Sequence, residues 1–341
     1  MRQSLHGVVD LLTGSAPRDL PEQDALAAWQ ALFFVVPVVS TTFASFARMF
    51  SHLGRESIGW VLIDEGGQAT PQSAVGALWR ARHGVVVGDP LQLEPITSLS
   101  SRVEGALARA HGVDPDWSPQ TLSAQRLADR ATPLGTWIGT AEARVWVGAP
   151  LTVHRRCDQP MFDLVNELVY DRLMVHATGA GGRVAFDEAH GRLPASKWID
   201  VPPDGARGHW VPAEGERLDR ILETLHARGV DMADVMVIAP FRDVERELRP
   251  RRRRYPDLAA GTIHTAQGRE ADVVVLILGG DPRKPGAKAW AAEKPNLLNV
   301  AASRARRRLY LIGDRGAWAE QRYFDVLARY LPDGEAAPPP A

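Results

Sequence analysis

The tandem carboxylates that end an apolar run, Trp60-Val-Leu-Ile-Asp64-Glu65, are the residues of this chain whose types and spacing point most directly to chemistry. A buried parallel strand presents side chains at its carboxyl end, where α/β sheets bind their ligands. There a first acid, Asp64, can hold Mg²⁺ through water, and a second, Glu65, can take a proton from an attacking water. That is the division of labour used to hydrolyse a nucleoside triphosphate. The plainer alternative is a strand that ends in a solvated acidic turn. Further along, Gly84-Val-Val-Val-Gly-Asp-Pro-Leu-Gln92-Leu-Glu-Pro95 is a second strand ending in a polar turn. From that strand end Gln92 can reach a terminal phosphate, although Gly-Asp-Pro by itself is an ordinary turn.

Two later segments are as rich in polar chemistry: Thr262-Ile-His264-Thr-Ala-Gln267-Gly268-Arg-Glu270, and Asn299-Val-Ala-Ala-Ser-Arg304-Ala-Arg306, the latter helical by its alanine content. Val38-Val-Ser-Thr41-Thr42-Phe-Ala-Ser45 reads as a strand end with clustered hydroxyls. A triphosphate-hydrolysing sheet also calls for Gly-x-x-x-x-Gly-Lys-Ser/Thr. The lysines here are Lys197, Lys284, Lys288 and Lys294, followed by Trp, Pro, Ala and Pro, so the 341 residues contain no such loop. The expectation is that the phosphate-binding strand and loop lie upstream of Met1.

The elements that must position these residues alternate short β-branched runs with helical patterns, the mark of parallel sheets with crossover helices. Strands are expected at Phe33–Ser40, Trp60–Ile63, Gly84–Val87, Val235–Ala239, Val273–Leu278 and Leu309–Ile312, with a turn at Gly261–His264. Ala31–Val39 reads as buried strand, and a helix is expected over Glu22–Leu32. Gly112–Thr140 has no clear period and reads as a long surface connection. The fold class is α/β with a partial first lobe over 1–150, a second over 151–331, and a disordered tail from Pro332.

Hydrophobic residues make up 45% and charged residues 24% of the chain, the balance of a globular protein, and a net charge of −1 excludes a generally basic nucleic-acid binder. Cys157 is the single cysteine, which excludes an intrachain disulfide and a thiolate-rich zinc site and suits a reducing, cytoplasmic setting. No apolar run reaches the ~20 residues of a membrane span. His154 and Cys157 lack the further thiols of a metal site, so core packing is expected for Cys157. The run Arg251–Arg254 reads as a solvated helix end.

The motifs in this order resemble those of superfamily 1 helicases of the nonsense-mediated-decay and DNA-replication type, written DEAxQ, GDxxQLxP, QYRMHP, TxHxxQGxE and NVAxTRA. The resemblance runs from about Val38 to Asp314. It implies two RecA-like lobes with ATP between them, single-stranded nucleic acid (DNA or RNA) across their top, and 5′ to 3′ movement. Leu151-Thr-Val-His154-Arg-Arg156-Cys-Asp-Gln-Pro160 stands where the family has QYRMHP, so Arg156 takes the place of an arginine that reaches the γ-phosphate. His154 replaces the usual Gln and Cys157 the usual Met. Arg304 matches the second phosphate-facing arginine. By the same resemblance Gln267, Gly268 and Glu270 approach the nucleotide, while Thr41, Thr42, Ser45, Thr262 and His264 lie near the nucleic-acid backbone. A non-hydrolysing, helicase-like scaffold that binds nucleic acid is the alternative.

Overall fold

The computed structural model describes residues 2–139, 144–263 and 268–333. Contacts divide the chain into two compact units, Met1–Leu134 and Gly135–Ala341. The division falls ahead of the residue 150 expected, because a hairpin beginning at Gly135 groups with the second unit.

The first unit runs α1 (Arg2–Thr13), α2 (Glu22–Val35), α3 (Phe43–Met49), β1 (Ile58–Ile63), α4 (Pro71–Arg80), β2 (Ala81–Val86), α5 (Ser101–Ala110) and α6 (Ala124–Ala131). Strands β1 and β2 form a parallel two-stranded sheet in which Ile63 stands opposite Val86. Trp29, Phe46, Phe50, Leu53 and Ile58 form a core beneath them. Trp60 and Leu62 of β1 are exposed, Leu62 at 72%.

Two expectations fail in this unit. Phe33–Ser40 is not a strand, and Ala31–Val39 is not buried. The Ala- and Leu-rich α2 carries on to Val35 and stops where Pro37 denies helical geometry to the residue before it. The β-branched residues that follow find no neighbouring strand, which leaves Phe34 83% and Val38 79% exposed. The 112–140 segment is likewise more than a surface connection. It holds α6, capped by Ser123, whose Oγ accepts from Arg126 N at 3.1 Å, and it buries Leu122, Gln125 and Asp129.

The second unit runs β3 (Gly135–Ile138), β4 (Val145–Gly148), β5 (Val153–His154), α7 (Met161–Leu168), β6 (Val175–His176), α8 (Gly181–His190), β7 (Lys197–Asp200), α9 (Pro212–Ala227) and β8 (Val235–Ala239). It continues α10 (Arg242–Glu247), α11 (Arg249–Arg254), β9 (Ala259–Thr262), β10 (Ala271–Ile277), α12 (Pro285–Ala291), α13 (Asn296–Arg304), β11 (Ala305–Gly313), α14 (Arg315–Ala319) and α15 (Phe324–Tyr330). Five strands form one parallel sheet in the order β7-β11-β10-β8-β9. Central β10 is buried on both faces, as an unbroken Val-Val-Val-Leu-Ile run requires. Each such side chain withdrawn from water contributes roughly 1.5–3 kcal/mol.

The parallel α/β sheet expected of a RecA-like lobe is therefore present. The turn expected at Gly261–His264 is instead the end of edge strand β9, whose Ala-Ala-Gly-Thr lacks the β-branched signal, and His264 lies outside the described residues. Arg251–Arg254 is helical as expected, but Arg251 is drawn inward, with Nη2 2.6 Å from Asp219 Oδ2 and its guanidinium over Trp210. Pro332 and Asp333 are ordered against β7: Trp198 N donates to Pro332 O at 3.0 Å, and Asp333 bridges to Trp198. The rest of the expected tail lies outside the described residues.

Candidate nucleotide site

In the first unit, the site begins where β1 ends. The ladder continues one step past both strands, with Val87 N donating to Ile63 O and Gly66 N to Val87 O, each at 2.8 Å. This sets the Asp64-Glu65 turn beside the turn after β2. Glu65 sits at φ 53, a left-handed conformation that costs a non-glycine residue free energy and that concentrates at functional sites. Asp64 Oδ1 accepts from Glu65 N at 2.9 Å, and Glu65 Oε2 accepts from Gln68 Nε2 at 2.7 Å. Gln92 is oriented through Asp89: its Nε2 donates to Asp89 Oδ2 at 2.9 Å, and Leu91 N donates to Asp89 Oδ1 at 2.9 Å.

Close backbone approach fixes the glycines here. A Cβ on Gly66 would collide with Val86 Cγ1, and one on Gly88 would lie 2.7 Å from Gly67 N. Sequence reasoning missed the support behind this turn. Buried Gln125 donates its backbone N–H to Gly66 O at 2.9 Å, and its side chain reaches buried Asp129 at 3.2 Å. The only signal was the Ser123 cap that starts α6. Thr41 and Thr42 are exposed, and they lead into α3 rather than ending a strand. Thr42 is its N-cap residue and Ser45 lies in its first turn.

In the second unit, three segments far apart in sequence meet. Ala271 stands opposite Ala305 in the β10–β11 pair, so the residues before them, Glu270 and Arg304, lie side by side at the amino end of the sheet. The 154–158 segment packs onto the same end: Cys157 Sγ donates to Ser303 O at 3.2 Å, and Asp158 N donates to Arg306 O at 2.9 Å. This brings Arg156 to Glu270, with Nε to Oε1 at 2.5 Å. Arg304 is only 3% exposed, whereas the Arg156 side chain is 34% exposed. Thr262 ends β9 at the opposite, carboxyl end of the sheet from Glu270. Gly268 is exposed at φ 66, and Gln267 and His264 lie outside the described residues.

Electrostatics separate the two residues that replace the usual Gln and Met. Burial first, and then the neighbouring Arg156 charge, hold His154 down at about 4. It is therefore neutral near pH 7, and its Nε2 accepts the Cys157 N–H at 2.9 Å. Burial pushes the Cys157 thiol up to about 12. A neutral, buried thiol is a packing group, as expected.

Among the described residues no group of three or more His, Cys, Asp or Glu could hold a metal by itself. A metal held together with nucleotide phosphates calls for only one or two protein carboxylates.

An AAA-domain family model matches residues 23–100, and a second AAA-domain model matches residues 147–316. Among curated proteins, the DNA-binding protein SMUBP-2 of Mus musculus is 24% identical over 329 residues, covering 92% of this chain and 30% of the relative. Its counterpart in Rattus norvegicus is also 24% identical, covering 92% and 31%. The chain thus spans about 30% of the length of the curated relatives it matches. Solved structures at lower similarity include an Arterivirus nonstructural protein 10 helicase with DNA, 17% identical with a TM-score of 0.35, covering 74% of this chain and 39% of that one. The PRRSV helicase is 15% identical with a TM-score of 0.35, covering 75% and 36%. With AAA-domain models matching residues 23–100 and 147–316 and curated relatives matching 92% of its length, the chain belongs to the superfamily 1 helicases.

Proposed function

We propose that this chain is the motor portion of an ATP-dependent translocase that moves 5′ to 3′ along single-stranded nucleic acid in the cytoplasm. The convergence of Arg156, Glu270 and Arg304 at one end of β10 and β11 carries the reading. Guanidinium groups so placed suit the charge that builds on a transferring phosphoryl group. The Arg156–Glu270 pair holds that arginine until a phosphate competes for it. In this reading Glu65 takes a proton from water, Gln92 senses the terminal phosphate, and Gly268 and Gln267 flank the nucleotide. Asp64 holds Mg²⁺, which supplies charge neutralisation on the phosphates when bound. Thr41, Thr42, Ser45, Thr262 and His264 contact the nucleic-acid backbone. The phosphate-loop lysine, which these 341 residues do not contain, must come from a further segment for turnover. Its absence from this chain favours a second reading, a binding scaffold that does not hydrolyse ATP.

Fluorescence anisotropy with oligo-dT and mixed-sequence single strands tests the binding half of both readings. Affinity should be alike for the two sequences and should fall linearly on a log–log plot against salt. A strong preference for one base sequence at constant salt would overturn both. Nucleic-acid-stimulated hydrolysis that appears once a phosphate-loop segment is supplied separates the motor from the scaffold.

A further inference from the structure

At the β7 edge of the five-stranded sheet, α9 lies over the strands without filling the space beneath it, leaving a cavity of about 200 Å³. Its floor is apolar: Leu193, Ile199, Ile221, Leu225 and the ring of Tyr310. Arg217 and Arg220 of α9 also line it, and no carboxylate does. Arg217 makes no ion pair among the described residues, and Arg220 Nε reaches only the Glu216 carbonyl of its own helix, at 3.4 Å. The Tyr310 hydroxyl donates to Pro194 O at 2.7 Å, and burial pushes its pKa up to about 12, so it adds no negative charge. None of these residues belongs to the nucleotide site described above.

An apolar space open on one side leaves its lining short of packing partners, and cations with no facing acid favour an anion. An enclosed apolar cavity of ~150 Å³ accepts benzene, so this one has room for a phenyl ring with a short chain. The guanidinium fork matches a carboxylate in two parallel hydrogen bonds. We propose that this cavity binds a small arylalkyl carboxylate, its ring on the Leu193–Ile199–Leu225 floor and its carboxylate between Arg217 and Arg220. This ligand is independent of ATP and of nucleic acid.

The test is titration calorimetry of the full chain with 3-phenylpropionate and with the neutral 3-phenylpropanamide, which share a ring and a chain. The carboxylate should bind at least about tenfold more tightly, as charge-assisted bonds to arginine require. Arg217→Ala combined with Arg220→Ala should erase that difference, and Ile221→Trp, which fills the cavity, should abolish binding of both compounds. Arg220 is exposed and Arg217 half-buried, so the double variant should keep the parent's circular dichroism, and it decides the question even if Ile221→Trp fails to fold. Equal affinity for acid and amide, no saturable binding of the acid, or a double arginine variant that keeps the parent's preference would each overturn the proposal.

Discussion

Glu214 offers a sharp quantitative test of the second unit's interior. It lies in the first turn of α9, 1% exposed, and its Oε2 accepts from Gly279 N at 2.8 Å. The charges of Lys288 in α12 and Asp314 after β11 also act on it, with Lys288 Nζ 4.0 Å from Asp314 Oδ2. Burial is the dominant influence and pushes the carboxyl up from 4.5 to about 8, against the lowering effects of the Gly279 bond and Lys288.

The folded protein therefore holds a proton on Glu214 that the unfolded chain releases across the range between those two values. The stability this contributes is fully present below the unfolded value and is lost as pH rises through about 8. Over that window one linked proton changes unfolding free energy by up to ~1.4 kcal/mol per pH unit. Glu214→Gln keeps an oxygen for Gly279 N but carries no titrating proton. Urea unfolding of parent and variant at about pH 5.5 and about pH 7.5 should therefore show the parent losing ~2–3 kcal/mol more than the variant. Parallel stability curves for the two proteins would show that Glu214 is ionised in the fold and that the reasoning from burial is wrong.

Arg156 and Arg304 should differ in what they do to stability. Arg304→Ala empties a buried site and should cost ~2 kcal/mol or more in urea unfolding, while Arg156→Ala, about a third exposed, should cost under ~1 kcal/mol. In protein supplied with a phosphate loop, both should lower hydrolysis by about 10³-fold; rates within threefold of the parent would remove them from the phosphate-facing role. Cys157, buried and held as a neutral thiol, should resist a disulfide reagent at pH 8 until the protein is unfolded, and stoichiometric labelling of the native chain would contradict its packing role. Gly66→Ala should destabilise the first unit, read as a lowered melting temperature, because its Cβ, in the turn after β1, meets Val86 at the end of the neighbouring β2; an unchanged melting temperature would mean that the turn relaxes freely.

The strands legible in sequence were those whose apolar runs are continuous: β8 matches residue for residue, and β10 and the core of β11 lie where their apolar residues put them. Pattern carries this information because a strand buried on both faces must be apolar at every position. The candidate site residues were legible by type and order, since carboxylates, arginines and glycines at strand ends carry chemistry whatever surrounds them. Local pattern failed where a partner decides. Val36 to Ser40 has the residue types of a strand but no neighbour to pair with, while Ala-Ala-Gly-Thr becomes β9 because Val235–Ala239 stands beside it. The sequence by itself determined which carboxylate, amide and guanidinium side chains the candidate site can draw on. Only the tertiary structure decided that Arg156 meets Glu270, that Arg304 is buried beside them, and that Gln125 supports the Asp64–Glu65 turn, because each depends on strand register or loop and helix contacts between segments whose sequence separation leaves no local trace.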